Sequence, residues 1–325
     1  MLRYAVVGSG AVGCFYGIRL AHAGARVQFL FRTGADRVAA EGLLLTSPDG
    51  DIHLREVAAA GSWAELEPCH VLLVAVKATA NRDVCAALAE HADRLLGSEG
   101  AVLLVQNGIG AEPRYARAAG GREVLGGLAF LCSQRTGPTS VAHLDYGALT
   151  IAAHRADDAP AGVTAAMTAI AADLARAATP AILDEDLVRA RWRKLMWNVP
   201  FNPLSVILAA STAQIMADPD AVSLVRRVMT EVAGAAAAEG RALPDGLVED
   251  LIAATARMAP YETSMKLDAD AGRRLEVDAM LAEPLRRAGR AGVAMPSVAV
   301  LHDQLAFLDR RIAGVRPAGG GPGPA

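Results

Sequence analysis

The chain is poor in aromatic residues, at 4% of the sequence, so its core has to be built mainly from alanine, valine and leucine. It has few cysteines: Cys14, Cys69, Cys85 and Cys132 are widely spaced and form no C-x-x-C pair. That pattern excludes a disulfide framework and a cysteine-based metal site, and reads as buried thiols in a reducing compartment. There is no excess of basic charge. The net charge of −3 and pI near 6.2 give no electrostatic case for nucleic acid or an anionic membrane surface. Long apolar runs are missing as well. Val71–Val76 is far too short to span a bilayer, and Gly8 interrupts the N-terminal run before a signal peptide could form. These absences together lead to the expectation of a cytoplasmic protein with no metal, membrane or nucleic-acid partner.

What is present is organised in two parts, and 325 residues suffice for two domains. The run Arg3–Val7 leads directly into Gly8-Ser9-Gly10-Ala11-Val12-Gly13, and helix formers follow as far as Gly24. Strand, glycine turn and helix form the context in which G-x-G-x-x-G binds a dinucleotide. The first glycine makes the tight turn, the second admits a pyrophosphate, and the third packs helix on strand. Phosphates would meet the positive end of that helix. The second strand, Arg26–Phe31, ends at Arg32, where an NAD site usually carries an acid for the ribose 2′-hydroxyl. A guanidinium there matches a 2′-phosphate, so the expected cofactor is NADP(H).

Leu43–Thr46 and Asp51–Leu54 flank Ser47-Pro48-Asp49-Gly50 as a hairpin. The apolar runs before Lys77 and before Asn107 read as buried parallel strands, which puts both residues on the ligand-binding rim of an open α/β sheet. Residues 123–153 read as strand-rich around a Gly137-Pro138 turn, and Gly162–Ala178 as a helix. From Asp184 the strand signal fades and long helical periods take over. The expected architecture is a doubly wound Rossmann-type α/β domain over 1–183, an all-α domain over 184–313, and a disordered Gly/Pro-rich tail over 314–325.

Within the second part, Arg191–Leu208 carries Lys194, Asn198 and Asn202 at four-residue intervals. On a helix these three heads share a face and suit a small, oxygen-rich anion. The same spacing also describes a solvated stripe on an amphipathic helix. Pro200 is expected to kink the helix and re-aim Asn202. Ser264 and Glu276, taken alone, read as residues favoured near helix starts.

Five motifs together resemble the ketopantoate reductases, the 2-dehydropantoate 2-reductases. They are GSGAVG at 8–13, VKAT at 76–79, QNGIG at 106–110, RWRKLMWN with FNPLS over 191–205, and TSMKLDADAGRRLEVD at 263–278. The resemblance covers nearly the whole chain apart from the tail. It implies NADPH-dependent reduction of the ketone of 2-dehydropantoate to pantoate, on the way to pantothenate and coenzyme A. It also implies Lys194 and Glu276 as catalytic residues, and Asn107, Asn198, Asn202 and Ser264 as contacts of a 2-oxo acid substrate. Arg32, Lys77 and Asn107 fall where the family contacts cofactor. One position departs: some members carry a further asparagine where this chain has Thr212. The alternatives are a reductase of another 2-oxo acid and, in a different class, a non-catalytic NADPH-binding sensor. A homodimer is left open.

Overall fold

The computed structural model describes residues 1–258 and 260–314, so the expected tail lies outside the described residues except for Gly314. The chain divides into two compact units, Met1–Ala190 and Arg191–Ala325.

The first unit opens with β1 (Arg3–Val7), α1 (Ala11–His22) and β2 (Arg26–Leu30). It continues through α2 (Ala35–Glu41), β3 (Leu43–Thr46), β4 (Ile52–Leu54), β5 (Ala58–Ala60), β6 (Cys69–Val74), α3 (Asn81–Leu95) and β7 (Leu96–Leu104). Then come α4 (Glu112–Ala118), β8 (Glu123–Arg135), β9 (Ser140–Ala153), α5 (Ala165–Arg176) and β10 (Ala181–Leu183). The strands form one sheet in the order β4-β3-β9-β8-β7-β6-β1-β2-β5, with β10 alongside β9. Along β5-β2-β1-β6-β7-β8 every neighbouring pair is parallel, as are β3/β9 and β10/β9, whereas β8/β9 and β3/β4 are antiparallel. The chain leaves β1 to one side for β2 and later returns to the other side for β6. That reversal is the topological switch point at which open α/β sheets place their ligands.

Two-residue alternation explains why helices cover both faces. Tyr4 and Val6 of β1, Val71 and Leu73 of β6, and Ala101 and Leu103 of β7 enter one core with α1 and α5 residues. Ala5 and Val7, Leu72 and Val74, and Val102 and Leu104 enter a second core with α3 and α4 residues. The doubly wound sheet expected from the sequence is therefore present. α5 starts at Ala165, later than expected, because Thr164 caps it by accepting from the Met167 N–H.

The second unit is helical among its described residues. It comprises most of α6 (Leu187–Ile207), then α7 (Thr212–Ala217), α8 (Pro219–Ala238), α9 (Leu247–Ala256), α10 (Ser264–Asp270), α11 (Glu283–Arg290) and α12 (Pro296–Ile312). The division between units falls inside α6, whose start is capped by the Asp186 carboxylate accepting from the Arg189 N–H. α6 continues through Pro200 and Pro203. A proline inside a helix costs about 3 kcal/mol, yet Trp192, Met196, Val199 and Phe201 are fully buried along this helix and hold it in place. After Glu276 a π turn spans Asp278–Ala282 before α11 begins.

Candidate active site

In the first unit the expected cofactor residues gather at the carboxyl ends of adjacent strands. Gly8 has a φ of +97°, and a Cβ there would lie 2.5 Å from the Val76 backbone nitrogen. A Cβ on Gly13 would run into the Gly8 carbonyl, whereas one on Gly10 would meet nothing within 4 Å. Two of the glycines are thus demanded by the fold itself, and the middle one faces open space of the kind a ligand fills. Gly10 is also the N-cap of α1, with no side-chain cap and no acid in the first turn, so the N–H groups of Ala11, Val12 and Gly13 point at that space without a competing carboxylate. These residues fit a pyrophosphate.

Ser9 donates its hydroxyl to the Leu30 carbonyl at 2.9 Å, tying the glycine loop to the end of β2. Arg32 lies exposed two residues beyond that tie. The Cys14 thiol donates to the Ser9 carbonyl at 3.3 Å, and burial pushes this thiol up to about 11 despite the nearby Arg135 guanidinium.

Lys77 is exposed just after β6, and Asn107 is half-buried just after β7. A buried polar bridge joins their loops. Gln106 Nε2 donates to the Val76 carbonyl at 2.9 Å and to Asn81 Oδ1 at 2.7 Å, and the Tyr115 hydroxyl donates to the same Oδ1 at 2.9 Å. Asn81 and Tyr115 were not singled out in the sequence, where neither stands in a recognisable pattern with Gln106.

In the second unit, Lys194, Asn198 and Asn202 lie on α6, Ser264 is the first residue of α10, and Glu276 precedes the π turn. Lys194 and Ser264 are half-buried, and Asn198, Asn202 and Glu276 are buried. Desolvation brings the Lys194 ammonium down to about 7, buried Arg191 one turn earlier pushes the same way, and the Glu276 carboxylate opposes both. The structure thus brings Lys194 and Glu276 within electrostatic reach of each other. Arg191 was overlooked in the sequence, although its i,i+3 spacing from Lys194 signals the contact. The elements carrying these groups are tied together by Glu239, which accepts from Trp192 Nε1 of α6 at 2.5 Å and from Arg287 Nη1 of α11 at 2.7 Å.

The two asparagines differ. Asn198 Nδ2 is buried with no hydrogen-bond partner among the described residues, a donor in need of a ligand oxygen. The Asn202 amide is already engaged: Nδ2 donates to the Asn198 carbonyl at 3.2 Å and Oδ1 accepts from the Met265 N–H at 3.4 Å. Thr212 is not poised as a ligand either, since its hydroxyl is bonded to the Tyr261 backbone.

Comparison with known proteins decides the family. The model described as "Ketopantoate reductase PanE/ApbA" matches residues 4–156, and its C-terminal counterpart matches residues 186–309. The chain belongs to the ketopantoate reductase family. It is 40% identical over 309 residues to a 2-dehydropantoate 2-reductase of Nostoc sp., covering 95% of this chain and 96% of that one. Among solved structures, it resembles a 2-dehydropantoate 2-reductase from Geobacter metallireducens with a TM-score of 0.88 and 35% identity, covering 94% of this chain and 99% of that one. Its likeness to one from Methylococcus capsulatus has a TM-score of 0.86 and 33% identity, covering 98% and 100%. As a member of this family the chain is an oxidoreductase. Among the described residues no helix is long and apolar enough to cross a membrane, and no group of three or more His, Cys, Asp or Glu is placed to hold a metal ion.

Proposed function

We propose that this ketopantoate reductase family member reduces the ketone of 2-dehydropantoate to (R)-pantoate with NADPH, in the synthesis of pantothenate and coenzyme A. The observation that carries the reading is Lys194, whose proton affinity is brought down to about 7 beside the Glu276 carboxylate. A general acid works best with a pKa near the operating pH. As the substrate carbonyl becomes an alcohol, negative charge develops on its oxygen; the Lys194 ammonium stabilises that charge and gives up one proton, leaving a neutral amine. Glu276 keeps enough of the lysine protonated against the pull of burial and Arg191, and orients it. Asn198 Nδ2 and the Ser264 hydroxyl hold the polar groups of the 2-oxo acid.

Gly8–Gly13 and the α1 N-terminus would hold the pyrophosphate, with Arg32 on the 2′-phosphate and Lys77 and Asn107 along the rim of the cofactor site. A nicotinamide cofactor bound there supplies the hydride. Four buried thiols accord with a cytoplasmic protein.

The test is oxidation of NADPH, with NADH in parallel, in the presence of 2-dehydropantoate and a panel of other 2-oxo acids. A strong preference for 2-dehydropantoate with NADPH is expected. Preference for a different acid would keep the chemistry and replace the substrate. Binding of NADPH without turnover of any acid would favour a sensor.

A further inference from the structure

Ser264 is delivered by a short segment, Tyr261–Met265, and the side chains that hold this segment are themselves fully buried. Thr212 clips its start: the Thr212 N–H and hydroxyl donate to the Tyr261 carbonyl at 3.0 and 3.1 Å, and the hydroxyl accepts from the Tyr261 N–H at 3.3 Å. Thr263 sits in the middle, its hydroxyl accepting from the Lys266 N–H at 3.2 Å as the cap of α10 and lying 2.5 Å from the Ser205 hydroxyl. Ser205 in turn donates to the Asn202 carbonyl at 2.9 Å. Each hydroxyl has one proton, so the direction of the chain is fixed. Ser205 spends its proton on Asn202, and Thr263 must donate to Ser205. Asn202 Oδ1 then accepts from the Met265 N–H on the far side of Ser264.

Thr212, Ser205, Thr263 and Asn202 are each at most 2% exposed. Water cannot replace a lost partner at such sites, so removing one hydroxyl leaves a buried group unpaired and frees the backbone that it held. Three of these anchors come from α6 and α7, so they also fix the segment against the helix that carries Lys194 and Asn198.

We propose that Thr212, Ser205 and Thr263 are positioning residues that aim the Ser264 hydroxyl at the substrate, with Asn202 Oδ1 holding the far end of the segment through the Met265 N–H. The proposal rests on the reading of Ser264 as a substrate-binding residue.

The experiment is a set of double-mutant cycles with Ser264→Ala, reading KM for 2-dehydropantoate, kcat, NADPH affinity and melting temperature. Thr212→Val and Ser205→Ala are each expected to raise KM about tenfold, the scale of one or two lost buried hydrogen bonds. NADPH affinity stays unchanged and kcat nearly so, and Thr212→Ser, which keeps the hydroxyl, restores KM. In the Ser264→Ala background the same substitutions should add almost nothing. Full effects persisting in that background would overturn the positioning role. A Ser264→Ala enzyme with unaltered KM would instead remove Ser264 from substrate binding, and the proposal with it. Thr212 anchors the start of the segment and Ser205 its middle, so failure of one variant to fold leaves the other to decide.

Discussion

Arg135, at the end of β8, donates Nη1 to the backbone carbonyl of Ser9 at 2.9 Å, across 126 positions of sequence. The same nitrogen touches Cys14 Sγ, while Nε donates to the Gly137 carbonyl at 3.2 Å and Nη2 to that of Pro138. One planar fork therefore pins the glycine loop to the β8–β9 turn. Arg135→Ala is expected to weaken NADPH binding about tenfold through loss of charge-assisted hydrogen bonds. Arg135→Lys should restore little of it, because an ammonium lacks the fork. Calorimetric titration of both variants would check this, and unchanged affinity in Arg135→Ala would remove the arginine from loop positioning.

Arg32 sets the preference between cofactors if its guanidinium meets the 2′-phosphate. Replacing it with alanine should weaken NADPH binding by about 10- to 100-fold, the range for hydrogen bonds to a charged group, and leave NADH binding almost unchanged. Equal losses for both cofactors would sink the assignment.

Lys194 makes two predictions with opposite pH signs. As the proton donor it must be protonated, so ketone reduction should fall as pH rises through about 7, the value to which burial brings this ammonium. Lys194→Ala should lower turnover by about 10²- to 10⁴-fold, as is usual for an acid–base group.

Stability runs the other way. An unperturbed lysine titrates near 10.4, so between about 7 and that value the unfolded chain holds a proton that the folded one has released. Folding stability from this group therefore rises with pH across that window, and its penalty is full below it. Lys194→Met should flatten that rise and melt higher than the parent at acid pH. Melting curves at two pH values are enough to tell; an unchanged pH slope would count against the buried ammonium.

Ala209 ends α6 with a φ of +50°. The Ala210 N–H bonds the Ser205 carbonyl and the Ala209 N–H bonds that of Val206, the Schellman arrangement that favours glycine. Relief of the left-handed strain, less the extra freedom of an unfolded glycine, should make Ala209→Gly more stable by about 0.5–1 kcal/mol. Thermal unfolding measures it directly.

The glycine loop, the parallel strands and the positions of Lys77 and Asn107 were legible because local patterns carry them: a strand, then turn residues, then a helix. The engagement of Asn202 was not, because its partner, the Met265 N–H, lies 63 positions away and leaves no mark on the spacing of α6. Arg135 escaped for the same reason. The short strands β5 and β10 went unseen, since three residues cannot display a period of two and those of β5 are all alanine. A proline rule weighs only a local penalty, whereas the fully buried side chains along α6, which accompany its passage through Pro200 and Pro203, are a matter of tertiary packing that the rule does not contain.

The π turn at Asp278–Ala282 amounts to one residue more than a regular helix would use over that stretch. Each helical residue turns the chain by about 100°, so the extra one sets the two flanks out of phase. Glu276 before the turn and Pro284, Arg287 and Ala288 after it are all buried with the turn as it stands. Shortening this turn by a single residue would swing one flank around the axis and carry the Glu276 carboxylate away from its present bearing. The position of this acid is therefore more vulnerable to a deletion a few residues downstream than to most substitutions beside it.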